Sequence, residues 1–200
     1  MSTQRTPVTL LAAALLAVGW TSHAAVAADL SVEALAAPCA GCHGTDGTSV
    51  GMAAPTIAGL PKEYFNEAMF GYKTDTKPAT VMGRIAKGYD DKQTEALAAY
   101  FAAKPFGRPG GQALDPAKIA KGKELADKYC QKCHENEGRD ADGVGVLAGQ
   151  KLTYMQFSVA DFLSGKREMD KRQKAKFEEL VKDHGAPAFT DILHYYANVK

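Results

Sequence analysis

The sequence predicts an all-α fold built as two small domains in tandem. Three observations lead there. The recognisable segments carry apolar residues at three- and four-residue steps, and no run alternates convincingly with period two. Blocks of the first half recur about 90 residues later in the second. Between the copies, "KPFGRPGGQALDP" at 104–116 is rich in proline and glycine and cannot continue a helix.

The first element is the N-terminal stretch "MSTQRTPVTLLAAALLAVGWTSHAAVAADL", which reads as a secretory signal. Arg5 supplies a positive start, Val8 to Trp20 an apolar stretch, and Ala25-Val26-Ala27 a small-residue cleavage site. The apolar stretch is well short of the roughly 20 residues that cross a bilayer, which disfavours a retained anchor. Cleavage after Ala27 leaves residues 28–200 as an exported, periplasmic chain with no later membrane span. The formal charge of +1 falls to zero as Arg5 leaves, and no basic stripe remains of the kind that binds nucleic acid.

Each half then follows one order. A cysteine motif begins at Cys39 in the first and at Cys130 in the second. "IAGLPKEYF" at 57–65 resembles "LAGQKLTYM" at 147–155, with Gly59 matching Gly149 and Tyr64 matching Tyr154. "TEALAAYF" at 94–101 resembles "TDILHYYA" at 190–197. The expected boundaries are a signal at 1–27, a first domain at 28–104, a linker at 105–115 and a second domain at 116–200. Asp115-Pro116 reads as an N-cap followed by proline at the first helical position. From there Ile119, Gly122, Leu125, Ala126, Tyr129, Cys130 and Cys133 keep helical spacing, so this helix is expected to carry the second motif. Phe189, Ile192, Leu193 and Tyr196 give the last helix the same stripe. A domain of about 80 residues buries little apolar surface, so each half needs something more in its core.

The cysteines show what that is. All four fall in two Cys-x-x-Cys-His pentapeptides: Cys39, Cys42 and His43, then Cys130, Cys133 and His134. This is the attachment pattern of c-type haem. On a helical turn, residues i and i+3 share a face, so both thiols can reach the two vinyl groups of one porphyrin edge. The histidine follows on the same side and can serve as proximal iron ligand. A four-cysteine zinc site would leave both histidines without a role. A redox dithiol needs a strand–helix setting that is not visible. Structural disulfides do not favour i, i+3 spacing within a helical turn. Two covalently bound haems c account for every cysteine and both histidines.

The other axial position of each iron needs a donor, and methionine would raise the potential and close the metal to small molecules. After His43 the candidates are Met52, Met69 and Met82. Met52 is too near in sequence to pass round the porphyrin edge, and Met69 sits on the core pattern of a helix. Met82, in "TKPATVMGRIAKG", is the choice. After His134 the candidates are Met155, which matches Phe65 of the first half, and Met169, in "SGKREMDKRQ", at nearly the spacing of Met82. Met169 is chosen. Met52, Met69 and Met155 are read as core gap-fillers. The ring N–H facing away from each iron should donate to a carbonyl, with Pro55 placed to accept in the first half and Gly145 in the second. His184 and His194 are read as surface or helix residues rather than ligands.

The blocks "TSVGMAAPTIA" (48–58), "VMGRIAKGY" (81–89), "DKYCQKCHENEG" (127–138), "LAGQKLTYMQFSVADF" (147–162) and "REMDKR" (167–172) together resemble the dihaem cytochrome subunits of flavocytochrome c sulfide dehydrogenases. The resemblance implies two tandem small class I cytochrome c-like haem domains, with Met82 and Met169 as axial ligands. It further implies a partner flavoprotein carrying FAD that oxidises sulfide, and a soluble acceptor such as a small cytochrome c. No catalytic residue is then needed in this chain, which would act as an electron-transfer subunit. Pro38 before Cys39 and Glu168 before Met169 depart from the pattern without removing a ligand. Two other readings compete. A free-standing dihaem carrier delivering to a terminal oxidase shares the tandem architecture. A catalytic open iron, as in a peroxidase, is disfavoured by two well-placed methionines. A docked subunit should expose an apolar patch near one haem, and a shuttle a charged rim.

Overall fold

The computed structural model describes residues 30–140 and 144–200. The signal segment expected at 1–27 lies outside the described residues. Every described regular element is helical. The first half contains α1 (Val32–Ala36), α2 (Ala40–His43), α3 (Lys62–Lys73), α4 (Met82–Ala86) and α5 (Asp91–Ala102). The second contains α6 (Pro116–Tyr129), α7 (Glu135–Gly138), α8 (Leu152–Leu163), α9 (Lys171–His184) and α10 (Ala188–Asn198). None is long and apolar enough to cross a membrane.

The helix starts follow local chemistry. Asp90 caps α5 by accepting from the Gln93 amide at 2.7 Å while the Gln93 side chain accepts from the Asp90 amide at 3.0 Å. Asp115 caps α6 as expected, accepting from Ala117 N–H at 2.9 Å with Pro116 at the first turn. Asp170 caps α9 through the amides of Arg172 and Gln173. Pro38 does interrupt the first helix: α1 gives way to a 3-10 turn over Ala37–Cys39 before α2 begins.

Two apolar clusters form, one per half. Leu35, Phe65, Met69, Leu97 and Phe101 centre the first, and Phe65 stacks on Phe101 with ring centroids 5.7 Å apart. Leu125, Tyr129, Met155, Leu180, Ile192 and Tyr196 centre the second. In each, the terminal helix crosses an earlier one: α5 packs on α1 and α3, and α10 on α6, α8 and α9. The loops repeat in detail. Gly59 and Gly149 both hold φ 68, which only glycine adopts without strain, and each donates to its own terminal helix, at Phe101 and Tyr196, over 2.8 Å.

The halves are not sealed off from each other. Val146, from the second half, is buried in the first cluster. The segment joining them is helix-free from residue 104 to 115 and is tied down rather than loose. Arg108 donates to the Ala148 carbonyl at 3.2 Å, and Gln112 exchanges bonds with Gln150 and Leu152.

Two sequence expectations change here. The second motif does not lie within α6, which ends at Tyr129; Cys130 is its C-cap, and the turn closes by N–H bonds from Cys133 and His134 to the Cys130 carbonyl. His134, at φ −115° and ψ 72°, has left the helical region, so the chain does not continue as one helix through the motif. Met52 is no gap-filler: it is 82% exposed, because its loop stands clear of the core. Met69 and Met155 are core residues, as expected.

Candidate functional site

α2 presents Cys39, Cys42 and His43 as a single turn, with Cys39 immediately before its first residue. The end of α6 and the turn after it present Cys130, Cys133 and His134. None of the four cysteines is joined in a disulfide; Cys42 and Cys133 are exposed, whereas Cys39 and Cys130 are half-buried against the two cores. The structural-disulfide reading therefore has no support. Neither does a zinc site, since no cluster of three or more metal-ligating side chains occurs among the described residues. A redox dithiol would lower a thiol pKa. Here burial raises that of Cys39 and pushes Cys130 up to about 12.

The two imidazoles differ. His43 is buried, and its Nδ1 donates to the Pro55 carbonyl at 2.8 Å, which leaves Nε2 for a metal. Burial lowers its pKa, and the Pro55 carbonyl opposes that shift. Burial takes His134 further, down to about 4. The Gly145 carbonyl favours its charged form but completes no hydrogen bond: among the described residues the buried Nδ1 of His134 has no partner. Gly145 thus stands in the place of Pro55, as expected, but holds its histidine less closely. Glycine leaves that loop without the fixed φ that proline imposes.

Met82 opens α4 and is half-buried against the first core. Met169 is half-buried in the irregular residues just before the N-cap Asp170 of α9. Each methionine is thus carried at a helix entrance, on the chain between the motif and the terminal helix. Two exposed apolar residues flank Met82, Val81 and Ile85, while Lys166, Lys171 and Arg172 stand exposed around Met169. His194 is buried and accepts the Asp115 amide at 3.1 Å, and His184 lies edge-on to Tyr129, so both have structural roles.

A feature the sequence did not announce lies where the halves meet. Tyr64 and Tyr154, matched by the repeat, bring their hydroxyls to 3.5 Å. Lys77 stands 5.1 Å from the ring centroids of both Tyr64 and Tyr72. Burial opposes ionisation of Tyr64, but the charges of Lys77 and Arg167, together with hydrogen bonding by Tyr154 and Arg167, lower its pKa on balance. Neither cation has a salt-bridge partner among the described residues. Half-buried cations without a carboxylate are costly, and this cluster suits a group that brings its own acids, as a porphyrin does. Cysteines at i and i+3 with a histidine directly after them, and a half-buried methionine at a later helix entrance, form a donor set whose chemistry fits haem c in each half.

Comparison with known proteins agrees. The sequence profile of the family described as cytochrome c matches residues 32–103. The cytochrome subunit of sulfide dehydrogenase from Chlorobaculum tepidum is 45% identical over 69 residues, which are 34% of this chain and 62% of that protein. The chain thus spans less than two thirds of that relative's length. Cytochrome c4 of Pseudomonas aeruginosa is 31% identical over 172 residues, covering 80% of this chain and 84% of the relative. The thiosulfate dehydrogenase electron acceptor of Thiomonas intermedia is 31% identical over 175 residues, covering 80% of this chain and 77% of the relative. The crystal structure of reduced recombinant cytochrome c4 from Pseudomonas stutzeri has the same fold, with a TM-score of 0.70 at 23% identity over 84% of this chain and 97% of that one. With the repeated haem-attachment motif and similarity running through both halves, the chain belongs to the cytochrome c family.

Proposed function

We propose that this chain is a periplasmic dihaem electron-transfer subunit, receiving electrons from a flavoprotein that oxidises sulfide and passing them to a small soluble cytochrome c. The observation that carries the two-haem part is the duplicated donor set: cysteines at i and i+3 not joined in disulfides, a histidine directly after, and a half-buried methionine at a later helix entrance in both halves. In this reading Cys39 and Cys42 hold the first haem, with His43 and Met82 on its iron. Cys130 and Cys133 hold the second, with His134 and Met169. The haem supplies reversible one-electron redox chemistry. The protein attaches it, fills both axial positions and lowers the dielectric around it. The unpaired Lys77 and Arg167, beside Tyr64 and Tyr154, suit its carboxylates. The domains divide near the 105–115 segment, and the N-terminal 27 residues act as the export signal.

The sulfide-linked donor, carrying FAD, is supported by likeness to the Chlorobaculum tepidum subunit and by the apolar Val81 and Ile85 exposed beside Met82. Apolar surface next to a redox centre suits a lasting interface. A second reading, a free-standing dihaem carrier serving a terminal oxidase, is favoured by the broader match to cytochrome c4. The basic residues around Met169 would then form the charged rim of a shuttle.

Native purification followed by addition of sulfide separates them. A flavin band that travels with the cytochrome, and haem reduction on adding sulfide, supports the subunit. A lone cytochrome indifferent to sulfide, yet reduced by chemical donors, supports the carrier. A colourless chain refutes both.

A further inference from the structure

Through their Ala-Gly loops the two halves align with a shift of 90 residues, as Gly59 to Gly149, so Pro55, Thr56 and Leu60 correspond to Gly145, Val146 and Gln150. The two loops hold the same place in their halves but are tied differently. The Gln150 side chain crosses to the first half. Its Oε1 accepts from the Thr56 amide at 2.9 Å, and its Nε2 donates to the Thr56 carbonyl at 3.0 Å. The same Oε1 accepts from the Lys151 amide at 2.9 Å, so the side-chain oxygen takes two bonds and the nitrogen gives one. Thr56 and Gln150 are 0% and 2% exposed, which shields these bonds from competition by water. Thr56 directly follows Pro55, whose carbonyl takes the His43 Nδ1 bond.

There is no reciprocal tie. Leu60 has no polar side-chain atom to offer Val146, and Val146 is packed into the first core instead. On that side the Gly145 carbonyl acts on the imidazole, but His134 Nδ1 completes no hydrogen bond among the described residues. The clamped loop holds its histidine by a full hydrogen bond, and the unclamped loop holds its own more loosely.

We propose that Gln150 is a cross-domain positioning residue: it fixes the Pro55 carbonyl on His43, so that the proximal ligand of one haem is tuned from the other half of the molecule. The inference rests on the ligand assignment of the preceding section. A carbonyl accepting from Nδ1–H makes the imidazole a better donor to iron. That favours the oxidised metal, so the clamp lowers the potential of the first haem. Gln150→Leu removes it using the residue that stands at the matching place in the first half. The Thr56 amide and carbonyl are then left unpaired in a buried site, and the loop must shift to satisfy them.

The test is a spectroelectrochemical titration of holoprotein, with hydrogen exchange at the His43 ring proton. In Gln150→Leu the first haem should rise in potential while the second stays. Its reduced-to-oxidised ratio at a fixed poise should increase about threefold, which is ~28 mV at 59 mV per tenfold. The His43 Nδ1 proton should exchange faster. An unmoved first haem, or equal movement of both, overturns the proposal. If that variant does not accumulate as holoprotein, Gln150→Met decides: this flexible side chain of similar length keeps the volume without the bonds, and the same selective rise is required of it. Wild-type protein without haem bands would refute the ligand assignment itself, whereas two intact haems with unmoved potentials refute only the role of Gln150.

Discussion

Gly122 is where α6 and α10 touch backbone to backbone. A Cβ there would lie 2.0 Å from the Asp191 carbonyl oxygen and 2.4 Å from its carbon. That falls about 1.4 Å short of the 3.4 Å at which ordinary contact begins, and the obstructing atoms are backbone, so no rotamer change relieves it. Gly122→Ala must therefore push the helices apart. Overpacking of this kind costs about 1–3 kcal/mol, and the upper end applies where backbone blocks the way. The better helix propensity of alanine returns about 1 kcal/mol. The net loss is about 2 kcal/mol, which for residues 31–200 melting as one compact unit lowers Tm by about 4–8 °C. Thermal unfolding of holoprotein followed by circular dichroism measures it. Gly110→Ala is the control, because nothing lies within 4 Å of its added methyl. A Gly122→Ala protein that melts with the wild type, or above it, would refute the close-crossing argument. The crossing bears on function because α6 leads to Cys130 and α10 carries Tyr196, whose ring lies 6.3 Å from that of His134.

Met82→Ala and Met169→Ala should each lower the potential of one haem and open its iron to carbon monoxide; unchanged six-coordinate spectra in both would refute the axial assignments. Met155→Ala, at a position 3% exposed, should cost about 2–5 kcal/mol in thermal unfolding with no change in the haem spectrum. Met52→Ala, at 82% exposed, should stay within about 0.5 kcal/mol of wild type. The Tyr129 hydroxyl, with Lys128 beside it, holds the Asp183 carboxyl below the usual carboxylate value. A lowered folded-state pKa stabilises above the ordinary carboxylate range and is lost as pH falls through it. Asp183→Asn should therefore lose less Tm than wild type between neutral pH and that range.

Helix content and the twofold repeat were legible because both rest on local pattern: apolar spacing, the Asp115-Pro116 start and the paired Cys-x-x-Cys-His segments. The Pro55 carbonyl was legible too, as an acceptor at the right place in the loop. What escaped depends on contacts across sequence. α9 was not singled out, although Asp170 caps it and Phe177 and Leu180 give it an apolar side; the basic residues at its start masked the pattern. Tyr64 and Tyr154 were matched by the repeat, but only folding shows that matched positions meet. The Thr56–Gln150 tie spans 94 residues and leaves no periodic trace. The exposure of Met52 and the looser hold on His134 both depend on where a loop settles, which composition does not determine.

The central claim is covalent attachment of one haem in each half. The direct measurement is the intact mass of the exported protein from a cell competent in cytochrome maturation, with peptide mapping of residues 39–43 and 130–134. The account predicts two haem masses above the polypeptide, one on each peptide. A mass equal to the polypeptide alone, or both cysteine pairs recovered as free thiols, would contradict it.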